Sequence, residues 1–186
     1  GSQLLFLDGD CIPHPKWVSD HLQAAKSDPE AVWCGRRFRL GPEISEKITP
    51  QDIQTGQLDS AFSSFLRAPE NHRWGNALRF PSWFARAINR KSKGLMGCNF
   101  SLPRTTFESV NGYEEDWPGM SQLLEDWDLE VRLRKDGKEL RPIINSAVVY
   151  HLYHHERERS EEVLRLREER KKADIRAKVG LNQYTP

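Results

Sequence analysis

The chain has 186 residues, with 28 lysines and arginines against 27 aspartates and glutamates, a formal net charge of +1 that removes any global electrostatic case for a nucleic-acid partner. Six tryptophans and eight phenylalanines exclude a disordered polymer and favour one elaborated domain with a substantial core. The three cysteines, Cys11, Cys34 and Cys98, lack both metal-motif spacing and disulfide-scaffold density, and neither a secretory leader nor a membrane-spanning apolar run is read; a reducing, cytoplasmic setting is expected.

In chain order, Gln3 to Leu7 reads as a buried strand that runs straight into Asp8-Gly9-Asp10. Pro13 and Pro15 then precede a helix carrying Trp17, Val18, His21, Leu22 and Ala25 at helical intervals. Ala31 to Leu40 reads as the next strand, closed by Gly41-Pro42, and Pro42 to Thr55 as loop with room for a short helix. Leu58 to Leu66 and Ser82 to Ile88 have the pattern of short amphipathic helices. After Gly94 and Gly97 an apolar segment reaches Pro103, and a short helix should stop at Asn111-Gly112.

A longer helix is expected from about Ser121 to Gly137, with Leu123, Leu124, Trp127 and Val131 on one side and Asp126, Leu129 and Leu133 opposite. Ile143 to Tyr150 reads as a strand delivering His151 at its end, with His154 and His155 close behind. Ser160 to Lys178 is a charged, helix-prone tail whose Val163, Leu164, Leu166 and Ile175 make a modest apolar face for docking on the domain or on another subunit.

Several residues carry chemistry. Strand alternation would put Asp8 and Asp10 on one side, where two carboxylates call for a divalent cation, Mg2+ or Mn2+ by their hard oxygens; the alternative is an acidic turn after a strand. His151 is a credible third ligand. Gly97 serves either close backbone packing or a ligand, and Asn99 offers an amide either to a sugar hydroxyl or to its own loop. Asp126, an acid on an apolar side of its helix, is either a functional carboxyl or a capping or salt-bridged one.

The blocks "FLDGDCIPHPKWV", "GCNFSLPRTTFESVNGYEE", "LLEDWDLEVRLRKDG" and "VVYHLYHH", in that order, resemble the catalytic half of a type A glycosyltransferase close to family 2, with a galactosyltransferase-like C-terminal region. The resemblance implies an α/β fold, an incomplete Rossmann-like mixed sheet flanked by helices, with residues 1–155 forming the C-terminal portion of the catalytic domain and 156–186 the tail. It also implies donor and metal binding by Asp8 and Asp10, metal ligation by His151, and donor binding by Gly97. Asp126 would be the catalytic base, with Glu125, Trp117 and Asn99 at the acceptor. The implied reaction is inverting transfer from a nucleotide-diphosphate sugar, UDP-linked by family habit, to a carbohydrate or lipid-linked glycan such as a bacterial polysaccharide. A homo-oligomer covering the truncated sheet and peripheral association with the inner face of the membrane are further expectations. The competing readings are a catalytically incomplete nucleotide-sugar or glycan-binding module, a metal-dependent hydrolase and a protein-interaction domain.

Overall fold

The computed structural model describes residues 1–55, 74–116, 124–155, 161–172 and 174–184. Two small mixed sheets, both built from strands of three or four residues, form the frame. The first has the order β1 (Gln3–Phe6), β5 (Phe100–Pro103), β3 (Val32–Cys34), β6 (Leu140–Pro142); β5 runs antiparallel to both neighbours, and β3 pairs with β6 in parallel. The second places β7 (Val148–His151) between β2 (Cys11–Pro13), antiparallel, and β4 (Arg36–Arg39), parallel.

The expected single strand Ala31 to Leu40 is thus two strands in two sheets, parted at Gly35. The Gly35 N–H donates to the Asn99 carbonyl at 2.8 Å, and a Cβ at this position would collide with the Asn99 amide. A glycine is the residue that lets the sheets meet here. The expected strand Ile143 to Tyr150 likewise begins only at Val148: Asn145 takes a left-handed φ of 64°, and the Ser146 N–H bonds back to the Ile143 carbonyl.

Helices cover the frame. In α1 (Trp17–Ser27) the buried seam is Trp17, Asp20, His21 and Ala24, while Val18 and Leu22 face water. The sequence expectation put those two on the apolar stripe. Polar residues take the inner positions because each finds a partner: Asp20 is held by Arg79 through bonds of 2.7 and 2.9 Å, and His21 bonds Ser101 and Asn99. Helices α2 (Pro42–Lys47) and α3 (Pro50–Gln54) occupy the stretch read as loop, the second opened by a Thr49–Asp52 capping box. Helix α4 (Ser82–Ile88) has the expected bounds. Helix α5 (Arg104–Ser109) ends where Asn111 and Gly112 take φ of 63° and 71°, as the Asn-Gly pair predicted.

Helix α6 (Glu125–Lys135) stops at Gly137, with φ of 75°. It buries Asp128, Leu129, Arg132 and Leu133; Trp127 and Val131 are only half-buried, and the Arg167 guanidinium lies 4.9 Å from the Trp127 ring centre. The core side is therefore the one shared by Leu129 and Leu133, which pack with Val32, Phe100, Leu102 and Val110. Fully burying such side chains stabilises the fold by about 1.5–3 kcal/mol each. Ser121, Leu123 and the expected helix Leu58 to Leu66 lie outside the described residues.

In the tail, α7 (Glu161–Arg170) is shorter than the expected Ser160 to Lys178, and Ser160 is outside the described residues. It docks on the domain through buried Val163 and through Arg170, which bonds Asp128 at 2.9 Å and Glu114 at 3.1 Å. The Lys178 and Val179 N–H groups both donate to Glu114 at 3.0 Å, and Asn111 bonds the Ala177 carbonyl and Asn182. No helix among the described residues is long and apolar enough to cross a membrane.

Candidate active site

The site forms where the two sheets meet, and the strand registers explain its membership. Cys11 lies opposite His151 and Arg39 opposite the same histidine, so Cys11, Arg37, Arg39 and His151 fall on one face of the second sheet. The other face carries Ile12, Phe38 and Tyr150 into a core. One residue before Cys11, the Asp10 carbonyl accepts from the Leu152 N–H at 2.9 Å, which brings the acidic turn to the end of β7.

Strand β1 ends at Phe6, so Asp8 and Asp10 do not continue its alternation; a turn follows, closed by the Cys11 N–H on the Asp8 carbonyl at 3.1 Å. Gly9 has open space around its missing side chain. The two carboxylates consequently part. Asp10 Oδ2 lies 3.4 Å from His151 Nε2 and 3.3 Å from His154 Nε2, a three-donor set within 4.8 Å. Asp8 instead gathers with Cys11 and Cys98 in a second set of the same span, both thiols being free. The expected triad of Asp8, Asp10 and His151 is thus divided between two adjoining donor sets, and His154 joins the one that holds His151.

Two imidazoles and a carboxylate make a mixed nitrogen and oxygen set, which Mn2+ accepts more readily than Mg2+ does, since Mg2+ prefers oxygen donors throughout. His151 is buried and His154 exposed. Burial and the Arg37 charge hold the His151 imidazole below its ordinary range, against the pull of Asp10, and a neutral imidazole is the form that ligates.

Across the site stands the amino-terminal turn of α6. Asp126 Oδ2 accepts the Gly97 N–H at 2.7 Å, and one helical turn later Glu130 Oε2 accepts the Leu95 N–H at 2.7 Å. The Gly94–Gly97 loop therefore seats two carboxylates spaced i, i+4. A Cβ on Gly97 would run into the Asp126 carboxylate. Close packing against Asp126 accounts for a glycine at this position.

Asp8, Glu125 and Asp126 are electrostatic neighbours. Desolvation raises the carboxyl pKa of each, only partially for Asp8 and Glu125, whose side chains still reach solvent; Asp8 adds to the rise in Glu125 and Asp126, and Asp10 to that in Asp8. Arg37 opposes the rise in Asp8 and Asp126, and its Nη1 lies 3.9 Å from Cys98 Sγ. Sequence reading passed over Arg37 and Glu130, and set Cys98 aside for want of metal-motif spacing. Arg37 carried no local signal, since it is one of three arginines in the four-residue strand β4.

Asn99 spends its amide inside the fold. Its side chain is wholly buried: Oδ1 accepts from Trp17 Nε1 at 2.9 Å and from His21 Nε2 at 3.0 Å, while Nδ2 donates to the Arg36 and Ala147 carbonyls at 2.8 Å. All four positions of the amide are used, so it ties the two sheets and α1 together and has nothing to offer a sugar. Trp117 lies outside the described residues.

The glycosyl transferase family 2 model matches residues 1–94, half of this chain, a span that contains the Asp8–Asp10 turn and Arg37 but neither Asp126 nor His151. No curated protein matches it. On the extent of that match, the chain belongs to glycosyl transferase family 2.

Proposed function

We propose that this chain carries the machinery for metal-dependent, inverting transfer of a sugar from a nucleotide-diphosphate sugar, UDP-linked, to a hydroxyl of a glycan or lipid-linked acceptor. The observation that carries this reading is the meeting of a desolvated carboxyl, Asp126, with Arg37 and the Asp8–Asp10 turn in one electrostatic neighbourhood. Asp10, His151 and His154 fit a divalent cation, which when bound supplies Lewis-acid compensation for charge on the departing diphosphate.

The remaining work falls to side chains. Arg37 adds a fixed positive charge for the diphosphate. Gly97 orients Asp126 by holding Oδ2, and the raised pKa brings that carboxylate closer to the range in which a base is effective. Asp126 takes the proton of the acceptor hydroxyl as its oxygen bonds to the anomeric carbon. The bond from that carbon to the diphosphate oxygen breaks, and the electron pair leaves with the nucleoside diphosphate. Glu125, its neighbour in sequence and exposed to solvent, is assigned to orienting the acceptor. Attack opposite the leaving group inverts the anomeric centre.

The test is a screen of nucleotide sugars with Mn2+ and oligosaccharide acceptors, products read by mass spectrometry and anomeric configuration by nuclear magnetic resonance. Acceptor-dependent glycoside of inverted configuration is expected. Retention, or free sugar released without an acceptor, would overturn the reading.

A further inference from the structure

Helix α4 is turned the wrong way for a helix that stabilises its own domain. Ala85 is its buried residue, whereas Trp83, Phe84 and Ile88 are 71%, 38% and 51% exposed. At 100° per residue, Trp83, Ala87, Phe84 and Ile88 span an arc of about 140°, so the apolar stripe as a whole faces outward. The Trp83 and Phe84 rings are 5.7 Å apart, and Phe84 packs edge-on to Phe80 at 5.2 Å. This is a contiguous aromatic patch, not a scatter of single exposed residues.

The charge carried by this stretch of sequence is one-sided, although Asp20 and Glu130 reach it from other elements, at Arg79 and at Leu95. From Trp74 to Phe107 the sequence contains no aspartate or glutamate, in a chain otherwise balanced. Of the cations in that stretch, Arg79 is bound to Asp20 and Arg104 lies near Glu108. Arg86, Arg90, Lys91 and Lys93 are all exposed, and none makes an ion pair among the described residues. An amphipathic aromatic such as tryptophan favours the level of lipid headgroups, and free cations beside it add electrostatic attraction to anionic lipid.

We infer that the outer face of α4, with the cationic segment that follows it, is a docking surface for an anionic lipid bilayer. The patch offers the bilayer both terms of interfacial binding, insertion of Trp83 and Ile88 and neutralisation of the four cations. A second copy of the chain fits less well, because a two-fold contact would bring like charges together. The inference is independent of the transfer reaction.

Vesicle co-sedimentation of the whole chain tests it, with pure phosphatidylcholine compared against phosphatidylcholine mixed with phosphatidylglycerol. Partitioning should be at least about tenfold stronger on the anionic vesicles and should weaken with salt. Replacing Arg86, Arg90, Lys91 and Lys93 with Gln should remove that preference, and Trp83→Ala with Ile88→Ser should abolish what binding remains. Brominated lipids should quench tryptophan emission in the parent chain and much less in Trp83→Phe, a readout that needs no disruptive change. Equal binding to both vesicles, quenching unchanged by Trp83→Phe, or a dimer in light scattering without vesicle binding would each overturn the inference.

Discussion

Asp126 and Asp128 lie two residues apart on α6 and meet opposite fates. Asp128 is buried between two arginines, with Arg132 at 2.8 Å and Arg170 at 2.9 Å, in a network that extends to Glu114 and through it to the Lys178 and Val179 N–H groups. Burial would raise the Glu114 carboxyl pKa, but those donors and Arg170 outweigh it and hold it below the usual range. Asp126 has one backbone donor and acidic neighbours, and its pKa is raised by burial above all. One region has its negative charge neutralised from within; the other keeps a surplus that a cation or a transferred proton can relieve. The first holds the tail to the domain, and the second is where the proposed transfer is assigned.

The sharpest way to break this contrast is to neutralise each acid in turn. Asp126→Asn should lower turnover about 10²- to 10⁴-fold in the transfer assay, the usual worth of a positioned base. Its thermal stability should be unchanged or slightly improved, because a desolvated charge has been removed. Asp128→Ala should do the reverse. It leaves the buried Arg132 guanidinium without its carboxylate and Arg170 with Glu114 as its remaining carboxylate, and should cost about 3–5 kcal/mol in denaturant unfolding, while the fraction that stays folded turns over at close to the parent rate. If the two variants exchanged these phenotypes, the division between brace and site would be wrong.

A smaller effect concerns a third buried polar group. Burial lowers the His21 pKa to about 4, against the Asn99 bond and Asp20, so the ring is neutral near pH 7; with Nε2 donating to the Asn99 Oδ1 acceptor, Nδ1 is left to accept from Ser101. In the unfolded chain a histidine takes its proton near pH 6.5, so the unfolded state binds more protons throughout the interval between those values. This residue's contribution is therefore intact above pH 6.5 and lost as pH falls toward 4, by about 3 kcal/mol in all. Urea unfolding across that range should show the loss, and His21→Gln, which retains a donor and an acceptor but does not titrate there, should flatten it. An identical acid slope in the variant would count against the assignment.

How much of this was legible beforehand follows from what was local. Helix stops at Asn111-Gly112 and Gly137 were readable because a left-handed residue is a property of two or three positions. The division of Ala31 to Leu40 was not, since it depends on Asn99, some sixty residues away, pressing on Gly35. Asn99 shows the same limit from the other side: an amide's chemistry is visible in sequence, but whether its four hydrogen-bond positions are already spent is decided by Trp17, His21, Arg36 and Ala147. The Asp8-Gly9-Asp10 motif was legible as an acidic pair, but the separation of its carboxylates was hidden, because it requires β1 to end at Phe6 and the turn to meet the end of β7. Arg170 and Glu114, distant in sequence and each unremarkable in a charged stretch, gave no sign of a shared buried network.

The central claim is that the acidic turn and the end of β7 hold the cation and diphosphate while Asp126 acts only in the transfer step. Calorimetric titration of uridine diphosphate with and without Mn2+ tests it most directly, in the parent chain, in Asp10→Ala with His151→Ala, and in Asp126→Asn, each checked for folding by circular dichroism. The account predicts Mn2+-dependent binding in the parent, its loss in the double variant and its retention in Asp126→Asn. A well-folded double variant that binds Mn2+ and nucleotide like the parent would contradict it.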